Sequence, residues 1–240
     1  MKILKNRLVA LGGSGLLLVL GGCAKFPATG TPRSTRLIFS YTMSGPVRTG
    51  AETGAGGVPY VYMVAINFSP DSPPPTQGPI PVIAPPWGNG FVAGNATHFV
   101  WWDPTQSNDY LIYKFQTTDL TTFITTGVPI SGDLVNVGSR RIRFELDLAQ
   151  MIPDETERNN TRAMQINFLT MDRVPASGTD KQWDALGDGR FPSQINTVVN
   201  IPLDRAGTYS NTTAGNIEPT GDQPNPELDI EDWSVEVRFD

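Results

Sequence analysis

Apolar and polar residues alternate with a period of two through most of the strongly patterned segments of this chain. That is the pattern of strands buried on one face. In residues 141–148, Ile142, Phe144, Leu146 and Leu148 point one way, and Arg141, Arg143, Glu145 and Asp147 the other. The chain ends the same way, with Trp233, Val235, Val237 and Phe239 alternating with Ser234, Glu236, Arg238 and Asp240. Residues 164–171 set Ile166 and Phe168 against Gln165 and Asn167. Segments 36–43, 60–68 and 197–203 read as further strands, and 97–102 with 110–116 as a hairpin turning over residues 104–108. A helical stripe is hard to find. Residues 149–158 allow one short turn, limited by Pro153.

Eight prolines lie within residues 70–86. Proline lacks the N–H that a ladder needs, so this segment is predicted to be a long surface excursion, not a central strand. Residues 45–57 form a second, Gly-rich loop. One polar face per strand suits antiparallel sheets better than parallel ones. The expected fold is all-β: an antiparallel β-sandwich of about eight or nine strands with long Pro/Gly-rich loops, spanning residues 36–240 as a single domain.

The N-terminus follows a different pattern. Lys2, Lys5 and Arg7 precede an apolar run from Leu8 to Leu20, which is too short for a bilayer span of about 20 residues. Small residues Gly21 and Gly22 then lead to Cys23. This reads as a secretory signal over residues 1–22. The stretch Leu20-Gly21-Gly22-Cys23 resembles the lipobox of bacterial lipoproteins, with Gly21 where the family prefers Ala or Ser. The resemblance implies cleavage before Cys23 and lipid attachment to it, with residues 23–35 as a tether. Three acyl chains, as such lipoproteins carry, make a permanent anchor, because each buried CH₂ contributes about 0.8 kcal/mol. Ala24 is not Asp, which in a Gram-negative host points to the outer membrane.

Removing that signal takes away three basic residues and no acids, leaving 15 Lys and Arg against 24 Asp and Glu, a formal charge of −9. Such a domain repels phosphate backbones, so nucleic acid is not an expected partner. Cys23 is the only cysteine, so no disulfide within the chain is available. The fold is expected to rest on its core.

Two segments carry a further resemblance. The strand R-I-R-F-E-L-D-L running into Ala149-Gln150, and the final D-I-E-D-W-S-V-E-V, are similar to exported β-sandwiches of the DOMON and family-9 carbohydrate-binding type. That implies a ligand-binding sandwich.

Candidate chemistry is sparse. The single histidine, His98, has no serine signature around it, which argues against a Ser-His-Asp site, and zinc sites lean on Cys and His. Gly88, Gly90 and Gly94 imitate a phosphate loop, but no helix follows. Glu145 and Asp147 share a face as a glycosidase pair would, but Arg141 and Arg143 share it too, and an ion-pair ladder accounts for all four. Calcium is the metal the residue types suit. Asp229, Glu231 and Asp232 cluster before Trp233, and Asp184 and Asp188 flank Gly187. Adjacent Trp101 and Trp102 must point to opposite faces, so only one can enter the core, while Trp87 sits in a Pro/Gly loop. Exposed aromatics beside Arg143, Glu145, Gln165 and Asn167 would make a sugar-stacking face.

The expected function is a non-catalytic cell-envelope lipoprotein, held to the membrane by Cys23 and binding a glycan or a partner protein. The alternatives are a carboxylate-based glycan hydrolase and a structural component of an envelope assembly. A cleft with two facing carboxylates favours the enzyme, a shallow aromatic platform favours glycan binding, and an exposed apolar patch or open edge favours protein contact.

Overall fold

A computed structural model describes residues 34–50, 60–81, 90–172 and 181–240. The signal, most of the tether, Cys23 and Trp87 lie outside them.

The fold is all-β. In chain order the strands are β1 (Thr35–Met43), β2 (Val61–Ser69), β3 (Pro79–Pro81), β4 (Val92–Gly94), β5 (His98–Trp102), β6 (Tyr110–Phe115), β7 (Phe123–Gly127), β8 (Ser131–Gly132) and β9 (Arg141–Asp147). Two short helices follow, α1 (Leu148–Met151) and α2 (Glu155–Asn160). Then come β10 (Ala163–Met171), β11 (Trp183–Ala185), β12 (Val199–Pro202), β13 (Gly207–Ser210) and β14 (Ile230–Phe239). All eight segments expected from periodicity are strands. Among the described residues, the remaining six of the fourteen strands are of five residues or fewer, too short to show a period.

Five strands make one antiparallel sheet in the order β13-β14-β1-β9-β8. The first and last strands pair along their full length, Thr35 opposite Phe239. The second sheet runs β11-β10-β2-β5-β6-β7, with β12 also lying along β10. Between the sheets Leu37, Phe39, Phe144, Leu146, Val235 and Val237 meet Tyr62, Val64, Ile66, Trp102, Ile166 and Phe168 in one buried cluster. Phe39 stacks on Phe144, and Tyr41 packs against Phe168.

The outer face of the first sheet is polar, as the alternation predicts. Arg36 reaches Glu145, Asp147 and Asp240, and Asp133 joins Arg141 and Arg143. The ladder accounts for the glycosidase-like pair. Such exposed pairs contribute about 0–1 kcal/mol each.

The second sheet departs from the expectation of one solvated face. Its outer side carries a second buried cluster, including Met63, Ala65, Phe91, Phe99, Leu169 and Met171. Every residue of β10 is buried. The cover comes partly from the proline-rich excursion, which folds back as the β3–β4 hairpin instead of extending into solvent. Gly78 comes so close to β10 that an added Cβ would lie 2.9 Å from the Gln165 side chain.

Candidate metal centre

Five acidic residues become buried in the loops around β11 and β14: Asp184, Asp188, Glu218, Asp222 and Asp229. Three of them, Asp184, Asp222 and Asp229, bring carboxylate oxygens within 4.8 Å of one another. The fold assembles them from separate segments. Pairing of Thr170 with Asp184 sets the first on β11. Asp229 immediately precedes β14. Glu218 and Asp222 come from the irregular stretch between β13 and β14.

Backbone N–H groups hold the carboxylates in place. Ala185 N and Ile230 N donate to Asp184 at 2.9 and 2.7 Å. Gly187 N donates to Glu218 Oε2 at 2.9 Å, and Gly189 N to Asp222 Oδ2 at 2.7 Å. Asp229 accepts from Gly221 N and from the Ser44 hydroxyl. Gly187 is required at its position. Its φ is +104°, and a Cβ there would stand 2.3 Å from the Gln194 carbonyl oxygen. Burial, then repulsion from Asp184 and Asp222, pushes the Glu218 carboxyl up to about 11. Burial and then Asp222 raise Asp184, and burial raises Asp222.

Of the calcium candidates from sequence, Asp229 and Asp184 meet here. Asp188 is instead held by Arg190, both of whose contacts are 2.7 Å. Glu231 and Asp232 are corrected: Glu231 pairs with Arg140 at 2.6 Å, and Asp232 is exposed on the outer side of β14. Glu218 and Asp222 were missed. They sit in a loop without periodicity, and nothing local in the sequence marks them.

The sugar-stacking face is not assembled. Trp102 is buried between the sheets against Tyr62. Trp101 lies on the other side of the second sheet, 6.2 Å from Phe91, partly covered by the second cluster. Arg143 and Glu145 stand on the outer face of the first sheet, across the sandwich from Gln165 and Asn167. Those two are buried and already bonded. Gln165 donates to Thr76 O and accepts from Asn67, while Asn167 donates to Pro79 O and Thr197 O and accepts from Leu186 N. Their polarity holds the excursion down and leaves nothing for a ligand.

At the opposite end of β2 from the acids, a cavity of about 470 Å³ opens between β2, β6 and α2, with His98, Lys114 and Glu157 among its lining. Thr97 Oγ1, which donates to Ile66 O, lies 3.0 Å from His98 Nδ1. Burial and then Lys114 lower the imidazole from 6.5 to about 4. A group whose folded value lies below its unfolded one stabilises fully above the unfolded value, and that stability is lost as pH falls through the window. Wild-type protein is therefore expected to lose about 2 kcal/mol more than His98→Phe between pH 7 and pH 5. Urea unfolding at the two pH values checks this; equal losses would refute it.

The most exposed apolar residues gather elsewhere. Of the six large hydrophobic residues exposed among the described residues, five lie in one short stretch: Ile124, Val128, Ile130, Leu134 and Val137. This stretch runs from β7, the last strand of one sheet, to β8, the last strand of the other, and beyond. Residues 123–132 carry no charged side chain. A shallow groove of about 380 Å³ lies here, lined by Tyr110, Val128, Ile130 and Leu134 among others.

No family model matches the sequence, and neither a curated protein nor a solved structure matches it.

Proposed function

We propose that this chain is a lipid-anchored cell-envelope protein whose sandwich binds a partner protein along the open edge at β7 and β8. The Leu20–Cys23 motif supplies the anchor, and Ala24 directs it to the outer membrane in a Gram-negative host. The observation that carries the binding site is the concentration of exposed apolar residues on an uncharged edge. Sheet edges are ordinarily guarded by charge, bulges or covering loops, because unpaired N–H and C=O groups template another strand; β7 has a bulge at Thr126 but no charged side chain. β7 ends its sheet with Ile124, Thr125 and Thr126 all exposed. An extended segment of a partner laid along β7 would gain main-chain hydrogen bonds, and its apolar side chains would meet Val128, Ile130 and Leu134 in the neighbouring groove, whose remaining lining is mostly polar and includes Asp109 and Asp133. The reading is one of binding without catalysis: the outer-face carboxylates are engaged by arginine, and the clustered acids lie beneath loops.

The test is photo-crosslinking in cells producing the full chain, with a photoreactive residue at Thr125 or Ile130 and a control at exposed Thr208 on β13. A discrete crosslinked protein is expected from the first two positions only. It should be lost in Ile124→Lys without change in the circular dichroism spectrum. Cys23→Ser should leave the protein unlipidated by mass spectrometry and remove the crosslink. Equal labelling at Thr208, or none at Thr125 and Ile130, would overturn the edge as the binding site, as would a product of twice the chain's own mass.

A further inference from the structure

We infer that Asp184, Asp222 and Asp229, with Glu218 buried beside them, form a binding site for one Ca²⁺ ion, which ties β11 to the loop between β13 and β14. The inference is independent of the partner-binding edge.

The geometry comes first. Oxygens of Asp184, Asp222 and Asp229 already lie within 4.8 Å of each other, a spacing one cation can bridge. Carboxylate–calcium distances of about 2.3–2.6 Å place two ligands of one ion roughly that far apart at most. The side chains are almost wholly removed from water, with exposures of 1% for Asp184, 2% for Glu218, 9% for Asp222 and 2% for Asp229.

The second observation is independent of the clustering. Glu218 Oε1 and Asp222 Oδ1 are buried oxygens that accept no hydrogen bond. The other oxygen of each is bonded to a backbone N–H, at Gly187 and Gly189 respectively. Each carboxylate is thus oriented through one oxygen while its second is left without a donor. Buried polar atoms are nearly always paired, and a bound ion is one of the few physical reasons for an exception.

Charge balance points the same way. The donors that reach these four carboxylates are neutral: backbone N–H groups and the Ser44 hydroxyl. Arg190, the guanidinium that feels Asp222 and Asp229, is engaged bidentately by Asp188. Buried charges without a counter-charge are expensive, and a divalent ion supplies one. The donor set is all oxygen, which suits a hard cation such as Ca²⁺ and not zinc. Magnesium demands near-octahedral geometry and keeps its waters, which a dry cage does not favour. The role is structural. In a chain with one cysteine, an ion joining β11 to β14 takes the place a disulfide fills in other exported domains.

The experiment uses the purified full chain, freed of metal with EGTA and titrated with CaCl₂. Calorimetry is expected to give one Ca²⁺ per chain. At a hundredfold excess over Kd the folded population gains about a hundredfold, raising the melting temperature by roughly 5–10 °C. Terbium(III) should occupy the same site and luminesce through Trp183, whose ring lies beside Gly189. Glu218→Gln and Asp222→Asn should lose at least tenfold in affinity, while Glu231→Gln binds as wild type. If either variant does not fold, the wild-type stoichiometry and terbium signal still decide. Wild-type protein that binds neither ion and melts identically in Ca²⁺ and EGTA would overturn the inference, leaving the acids to share protons. An equal shift with MgCl₂ would overturn the choice of calcium.

Discussion

Trp102→Ala is expected to lower the free energy of unfolding by about 3–5 kcal/mol, the usual cost of truncating a core tryptophan. Trp102 is 1% exposed and sits opposite Tyr62 on the neighbouring strand, edge to ring at 5.7 Å. Its indole N–H donates to no partner, so the loss is one of packing and buried apolar area, with no hydrogen bond to replace. Trp101→Ala is the comparison. That side chain leans on Phe91 at the border of the second cluster and keeps part of its surface in water. Its truncation should cost less than half as much. Urea unfolding of both variants, monitored by far-ultraviolet circular dichroism, measures the difference. Equal and small effects would mean that the intersheet core is not where Trp102 lies. Adjacent residues in one strand thus separate into a core residue and a rim residue, and neither forms an open sugar platform.

Asn167→Ala is expected to cost about 3–5 kcal/mol, although it removes only a small polar side chain. Asn167 is fully buried, and its amide makes three hydrogen bonds. Truncation leaves the Leu186 N–H and the Pro79 and Thr197 carbonyls without that partner, and each buried group left unmade costs about 1–3 kcal/mol. The carbonyls have a second lone pair and suffer less than the N–H, which keeps the sum below the simple total. The change should also loosen the cover over the second sheet. Limited proteolysis should then cut within residues 70–81 faster in Asn167→Ala than in wild type. Gln165→Ala, which loses its bonds to Thr76 O and Asn67, should show the same cleavage with a smaller loss of stability. A variant within about 1 kcal/mol of wild type, with unchanged cleavage, would refute the role assigned to Asn167 as the tie between sheet and excursion.

These two predictions also separate what is local in this protein from what is not. The alternation in residues 141–148 and 233–239 determines β9 and β14, and the same logic gives β1 and β10, because a period of two follows from backbone geometry alone. Antiparallel pairing and the sandwich follow from one apolar face per strand. That Arg141, Arg143, Glu145 and Asp147 share one polar face was legible for the same reason, but their ion-pair partners, Asp133 and Arg36, come from other segments. The alternation of Gln165 and Asn167 is identical in form, yet those residues are buried. Periodicity reports that two faces differ, not what covers the polar one. Here the cover is a proline-rich segment, and only its folding back decides that both amides bond to its carbonyls. The acid cage lies still further from local reach. A reading along the chain groups Asp229 with Glu231 and Asp232 because they are adjacent, but the bulge between β1 and β14 near Met43 and the strand direction send the latter two outward. Glu218, Asp222 and Asp229 share the stretch before β14, where Gly221 N and Gln223 N bond Asp229, but Asp184 joins them only after β11 has paired with β10 and β14 with β1, a proximity that strand pairing across the chain creates.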